Sequence, residues 1–271
     1  MMSDLEAAGA IGVFDSGIGG LSILRHIRRL LPAEPLIYVA DTGHLPYGSK
    51  PPDYVVRRSV AISRFLLEQG AKAIVVACNT ATAAAVTELR QRFSLPVIGV
   101  EPGLKPAISL GRGGVVGVLA TEGTLGSEKF QRLVSTHGER RSVLVQPCPG
   151  WVEQVESGAF DSAEARALVA AIISPLLRRG VDTLVLGCTH YPYLRPLIQE
   201  LAGPEVEIVD TGPAIALELR RRLDGLGLLM GGVAAGSERF WVSGDPLQAG
   251  QQLVRLWHPA VLPERLPAGV R

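Results

Sequence analysis

Two short stretches of the chain end in a cysteine followed by small polar side chains: Ile74-Val75-Val76-Ala77-Cys78-Asn79-Thr80 and Leu184-Val185-Leu186-Gly187-Cys188-Thr189-His190. In each, an apolar run of strand length delivers a thiol to a polar rim, as buried parallel strands do where their carboxyl ends meet a crevice. Either cysteine alone reads as a small buried hydrophobe. At a helix entry, however, a positive dipole end and neighbouring donors lower a thiol pKa from about 8.5, and two such thiols at matching strand ends point to chemistry. Inverting a carbon centre by proton transfer needs one group that removes a proton from one face and another that supplies one to the opposite face. A thiolate and a thiol meet that need and exchange states at each turnover. Nucleophilic hydrolysis or acyl transfer by Cys188 with His190 is the alternative, and it leaves Cys78-Asn79-Thr80 without a role.

The composition narrows the partners. With 271 residues, 47% hydrophobic and 20% charged, the chain has the length and apolar content of a globular protein of one large or two ordinary α/β domains. Lys plus Arg (27) nearly balance Asp plus Glu (26), so charge gives no case for a nucleic acid or an acidic membrane, though a small anion is not excluded. The amino-terminal stretch, with Asp4 and Glu6 and no basic region, is not that of a signal peptide, and the expectation is a cytoplasmic protein. There Cys78, Cys148 and Cys188 stay reduced, which disfavours a disulfide between Cys78 and Cys188. A metal site is not expected either: the sequence has no C-x-x-C pair, and only His190 adjoins a cysteine.

The elements that must position the thiols follow in order. Ala10 to Phe14 reads as a strand, Asp15-Ser16-Gly17-Ile18-Gly19-Gly20 as a turn and Leu21 to Leu31 as a helix. A dinucleotide fingerprint would need a further glycine where Ser22 stands. Strands follow at Leu36 to Ala40, before Cys78, and at Val97 to Val100, with helices from about Asp53 to Gln69 and Ala81 to Phe93 between them. Glu101-Pro102-Gly103 breaks the rhythm and marks a domain joint. Beyond it lie strands at Val115 to Leu119, Val143 to Gln146, before Cys188 and, after the stretch Tyr193 to Leu201, at Val206 to Val209, with helices at Ser127 to Ser135, Trp151 to Ser157, Ser162 to Arg179 and from past Asp210-Thr211-Gly212 to about Leu223. Leu226 to Ser237 reads as a surface loop, Arg239 to Val242 as an edge strand, Pro246 to Trp257 as a helix packed back on the first domain, and the Pro-rich tail as loose.

This alternation predicts mainly parallel sheets covered on both faces. The expected architecture is α/β, with two domains facing across a cleft that holds the site: residues 1–100 plus 212–271, and residues 101–211. Moving 110 residues along the chain carries Cys78 onto Cys188 and Thr80 onto His190, which suggests two similar halves. Asp-Ser/Thr-Gly triplets at Asp15, Asp41 and Asp210 follow parallel-type strands rather than the β-rich surroundings of aspartic proteases. They read first as helix-capping turns, with the glycine loop after Asp15 a candidate anion cradle.

Taken together these residues resemble the glutamate racemases, cofactor-independent bacterial enzymes of the aspartate/glutamate racemase superfamily. The likeness runs from about Ile11 to Trp257 through Val13-Phe14-Asp15-Ser16-Gly17-Ile18-Gly19-Gly20, Pro46-Tyr47-Gly48, Cys78-Asn79-Thr80-Ala81, Gly187-Cys188-Thr189-His190-Tyr191-Pro192 and Ser243-Gly244-Asp245-Pro246. The resemblance implies that Cys78 takes the α-proton from D-glutamate and Cys188 that from L-glutamate, with Asp15 and His190 as neighbouring acid/base groups. It implies that Asp15, Ser16, Pro46, Tyr47, Gly48, Asn79, Thr80, Thr189 and His190 hold the substrate, helped by Thr121 and Thr124. Glu156 matches a family glutamate near His190, although the preceding Cys148-Pro149-Gly150-Trp151-Val152-Glu153 departs from the family's Cys-Pro-Leu-Phe/Tyr-Val-Pro. Cys148 matches a non-catalytic cysteine.

The implied enzyme needs no cofactor and no metal, has glutamate as its small-molecule partner, is compatible with a homodimer, and supplies D-glutamate to peptidoglycan synthesis in the cytoplasm. Rival readings within the superfamily are an aspartate racemase, a decarboxylase or an isomerase. His190 favours glutamate, because the aspartate enzymes tend to carry Glu after the second Cys-Thr. From another class, a binding role on a topoisomerase remains as a second function.

Overall fold

The computed structural model describes residues 9–110, 113–138, 141–232, 234–258 and 261–270. Asp4 and Glu6, on which the reading of the amino terminus rests, lie outside the described residues. The strands are β1 (Ala10–Asp15), β2 (Leu36–Ala40), β3 (Ala71–Val76), β4 (Val97–Gly99), β5 (Val115–Ala120), β6 (Val143–Pro147), β7 (Val181–Leu186), β8 (Glu207–Val209), β9 (Glu238–Val242) and β10 (Glu264–Arg265). The helices are α1 (Leu21–Leu30), α2 (Pro52–Glu68), α3 (Asn79–Arg92), α4 (Leu104–Ser109), α5 (Glu122–Leu125), α6 (Glu128–His137), α7 (Trp151–Glu156), α8 (Ala163–Arg178), α9 (Arg195–Ala202), α10 (Gly212–Gly225) and α11 (Pro246–Leu256).

The strands form two sheets, one of six in the order β10-β9-β2-β1-β3-β4 and one of four in the order β6-β5-β7-β8. Every pairing is parallel. Continuous apolar strands suit such sheets because both faces are covered. On β1, Val13 packs with Leu24 and Ile27 of α1 and Leu219 of α10, while Phe14 packs on the other face with Ile62 of α2 and Ala85 of α3. In the second sheet, Leu119 and Leu184 meet α7, α8 and α9, and Val118 and Val185 meet α4.

The arrangement 2-1-3-4 of the first four strands recurs as 6-5-7-8. Even the register shift recurs, falling between Ala10 and Ile11 opposite β3 and between Val115 and Val116 opposite β7. Gly70 and Gly180, one residue before β3 and β7, both take left-handed φ values of 83° and 77°, the turn conformation glycine accepts most readily after a helix. In each half the first and third strands lie side by side while the second lies beyond the first, so a crevice opens at the carboxyl ends of β1 and β3 and again at those of β5 and β7.

Three expectations are corrected. The strand Arg239 to Val242 is not at the edge: β9 lies between β2 and β10. The Pro-rich tail is not loose there, for Glu264–Arg265 pairs with β9 and Leu266 is buried; a two-residue strand is too short to show a period. The stretch after Leu226 is only partly surface, since Leu228 and Leu229 pack against the core of the first sheet and Met230 N donates to Glu34 Oε1 at 2.8 Å.

Candidate active site

Asp15 ends β1 and is fully buried. Its Oδ1 accepts from Ser16 N at 2.7 Å and from the Ser16 hydroxyl at 3.3 Å, and its Oδ2 accepts from Gly20 N at 2.6 Å. Ile18 N donates to Glu156 Oε1 at 2.7 Å. The glycine loop therefore spends these backbone donors on the protein's own carboxylates, which corrects its reading as a cradle for an external anion. Its glycines are required by crowding: a Cβ on Gly17 would collide with the Glu156 carboxylate, one on Gly19 with the His190 ring, and one on Gly20 would lie 2.8 Å from Asp15 Cβ.

Cys78 is the N-cap of α3; its backbone is extended and its Sγ accepts from Ala81 N at 3.4 Å. The sulfur lies 3.9 Å from Ser16 Oγ. The helix entry lowers the thiol as expected, but burial, followed by the Asp15 charge, outweighs it and pushes Cys78 well above the usual thiol range. Burial likewise raises the Asp15 carboxyl, against the opposing pull of His190. A proton is thus readily held on this side of the site.

Cys188 follows β7, with Sγ 3.7 Å from His190 Nδ1. His190 Nε2 lies 2.7 Å from Glu156 Oε1. Burial would lower the imidazole, but the Cys188 and Glu156 partners and the Asp15 charge together raise it well above the usual histidine range. The sulfur and the carboxylate on either side thus both favour a proton on the ring.

These two clusters meet. Thr189 Oγ1 donates to Asp15 Oδ2 at 3.2 Å, and the Ser22 hydroxyl donates to Thr189 O at 2.8 Å. Thr80 Oγ1 is 2.9 Å from Thr121 Oγ1 and 3.3 Å from Thr124 Oγ1, while Thr121 caps α5. Asn79 donates through Nδ2 to Val100 O at 3.3 Å. Pro46 follows a cis peptide, and the turn Tyr47–Ser49 brings Gly48 against Thr121. These contacts link Asp15, Ser16, Thr189, His190 and Glu156 around the two thiols and Thr80 to Thr121 and Thr124, whereas the Tyr47 hydroxyl is turned to Asp41. Both thiols are buried, with relative exposures of 5% for Cys78 and 7% for Cys188, and a cavity of about 20 Å³ on the α1 side of Cys188, lined by Ser22, His26, Asn79, Asp210 and Gly212 and not by Cys78, has room for roughly one water. A larger cavity of about 170 Å³ adjoins Pro46, Gly48, Thr121 and Cys148.

Cys148 is buried 4% exposed beside Gln146, and burial raises its thiol far above the usual range. Asp210 does act as a turn residue, accepting from Gly212 N at 2.9 Å. Asp41 does not: no side-chain cap bond forms, and its carboxylate is taken by Arg58 and Tyr47. Sequence reasoning missed Arg58, although it stands between Val55 and Ile62 on the buried stripe of α2, where an arginine calls for a partner. Among the described residues, three or more His, Cys, Asp or Glu are nowhere gathered as for a metal ion, and no helix is long and apolar enough to cross a membrane.

The profile of the Asp/Glu/hydantoin racemase family matches residues 11–219. The chain is 59% identical over 259 residues to the glutamate racemase of Methylococcus capsulatus, covering 96% of each chain. A crystal structure of a glutamate racemase isoform from Bacillus anthracis superposes with a TM-score of 0.89 at 33% identity, covering 97% of this chain and 99% of that one. The Escherichia coli glutamate racemase in complex with L-glutamate superposes with a TM-score of 0.84 at 32% identity, covering 95% and 98%.

Proposed function

The chain belongs to the Asp/Glu/hydantoin racemase family, and from that premise we propose that it interconverts L- and D-glutamate by proton transfer between two cysteines, without cofactor or metal. The observation that carries the reading is the meeting, at the ends of β3 and β7, of one thiol beside a buried carboxyl group and another 3.7 Å from an imidazole that Glu156 also contacts. Cys188 takes the α-proton of L-glutamate, the His190 cation offsetting the charge on its sulfur, and Cys78 delivers a proton to the other face. In reverse, Cys78 is the base, with the buried Asp15 carboxyl group beside it as the neighbouring acid/base group.

The substrate's carboxylates find donors in the hydroxyls of Ser16, Thr80, Thr121, Thr124 and Thr189 and in backbone N–H groups near Pro46, Tyr47, Gly48 and Asn79, with no arginine required. The substrate lies between the two thiols, in the cleft between residues 1–100 plus 212–271 and residues 101–211. The D-glutamate made would serve peptidoglycan synthesis in the cytoplasm, and so the cell wall and cell shape.

Circular dichroism of L-glutamate and of L-aspartate, each with protein exhaustively treated with EDTA, tests the reading. The L-glutamate signal should decay to zero while that of L-aspartate persists. Preference for aspartate, or activity lost to EDTA and restored by a metal, would sink it.

A further inference from the structure

Asp41, Tyr47 and Arg58 form a buried polar cluster that the two-thiol chemistry leaves unused. Arg58 Nε donates to Asp41 Oδ2 at 2.9 Å and Nη2 donates to Oδ1 at 2.7 Å, while the Tyr47 hydroxyl donates to Oδ2 at 2.5 Å. Relative exposures are 0%, 1% and 9% for Asp41, Tyr47 and Arg58. Apolar side chains often replace a buried ion pair without loss of stability, so stability alone does not account for one set beside Val39, Val55 and Ile62.

What the cluster grips is the turn Tyr47–Ser49. With its hydroxyl proton committed to Asp41, Tyr47 has none to offer a substrate carboxylate. Its ring instead packs in the same apolar cluster as Cys78. The next residue touches the other half: a Cβ on Gly48 would lie 2.9 Å from Thr121 Cβ, and one on Gly123 would lie 2.9 Å from Gly48 O. Among the described residues, the N–H groups of Tyr47 and Gly48 have no acceptor.

We propose that Arg58 is a positioning residue: acting through Asp41 and the Tyr47 hydroxyl, it fixes the turn between Cys78 and Thr121 so that the turn's backbone N–H groups meet a substrate carboxylate. The substrate part of this rests on the racemase reading above. The gripping part rests on the cluster alone.

Two conservative variants test it. Arg58→Lys keeps the charge but loses the two-pronged fork, and Tyr47→Phe keeps the ring but loses the hydroxyl. Both should fold, and in both KM for glutamate should rise about tenfold with kcat changed less than about threefold, because carboxylate contacts made equally in ground and transition states act on KM. A second readout needs no activity: mass mapping of iodoacetamide labelling should show Cys78 reacting about fivefold faster than in the wild type, and Cys148 unchanged, as the turn opens locally.

Unchanged Cys78 labelling in both folded variants overturns the proposal whatever the kinetics. So does a fall in kcat at constant KM, which would place the cluster's effect in the transition state. If the wild type fails to racemise glutamate, the racemase reading fails, and the labelling still decides whether Arg58 holds the turn.

Discussion

Cys78 and Cys188 end equivalent strands of equivalent sheets, yet Cys78 caps a 14-residue helix and faces a carboxyl group, whereas Cys188 leads into the short 3-10 turn Tyr191–Leu194 and faces an imidazole. The halves repeat the scaffold, down to a register shift and a left-handed glycine, and differ in the charge beside the sulfur. A repeated scaffold places two like groups on opposite faces of a substrate. Unlike neighbours then give the pair a direction, one side disposed to hold a proton and the other to stabilise its loss.

The sharpest way to break that comparison is to remove one thiol at a time. Cys78→Ser and Cys188→Ser should each lower racemisation in both directions by about 10³-fold, because a hydroxyl is a far poorer acid than a thiol and both faces need a group. Their residual chemistry should differ. In deuterated water, proton NMR should show Cys78→Ser exchanging the α-proton of L-glutamate only, and Cys188→Ser that of D-glutamate only. The wild type should make early D-glutamate that already carries deuterium. Exchange of the same enantiomer by both variants would erase the distinction between the halves.

Glu156→Gln probes the imidazole side alone. With kcat/KM expected to fall about tenfold, it should fall equally in both directions, since the equilibrium between enantiomers is fixed at one. The pH dependence follows from the raised folded pKa of His190. The pair's stabilisation is complete below the ordinary histidine value of about 6.5 and is lost as pH rises through the raised one. The wild-type melting temperature should therefore drop on the alkaline side more than that of Glu156→Gln. Parallel curves would show that the Glu156 contact does not hold the proton.

Replacing Gly70 or Gly180 by Ala should have the smallest effect and the most even one. Nothing lies within 4 Å of a Cβ built at either, so each variant bears only the cost of a left-handed residue, about 1 kcal/mol. Thermal unfolding should shift by about 2–4 °C in each. A marked inequality would mean that the two turns, alike in backbone, are not alike in what they support.

The site was legible where chemistry and strand pattern coincide in one short segment, as at Cys78-Asn79-Thr80 and Cys188-Thr189-His190. The parallel sheets were legible too, because buried strands give uninterrupted apolar runs. Hidden features were those made by partners far apart in the chain. Arg58 and Asp41 are neighbours only because α2 folds back over the sheet, against β1 and β3, and the glycine loop reads as a cradle until Glu156, 138 residues away, is seen to occupy its Ile18 donor. The Cys78 pKa was misjudged for a related reason: a helix entry is written locally, whereas burial and the Asp15 charge depend on the assembled halves.

The strand Glu264–Arg265, which closes one side of the six-stranded sheet, also bears on how the chain acquires its structure during synthesis. All four strands of the smaller sheet lie between Val115 and Val209, so that sheet has every strand it needs while the chain is still being made. The larger sheet must wait for β9 and β10, leaving the flank of β2 unpaired until they have been made. The half that appears first in the sequence is thus the last to be completed.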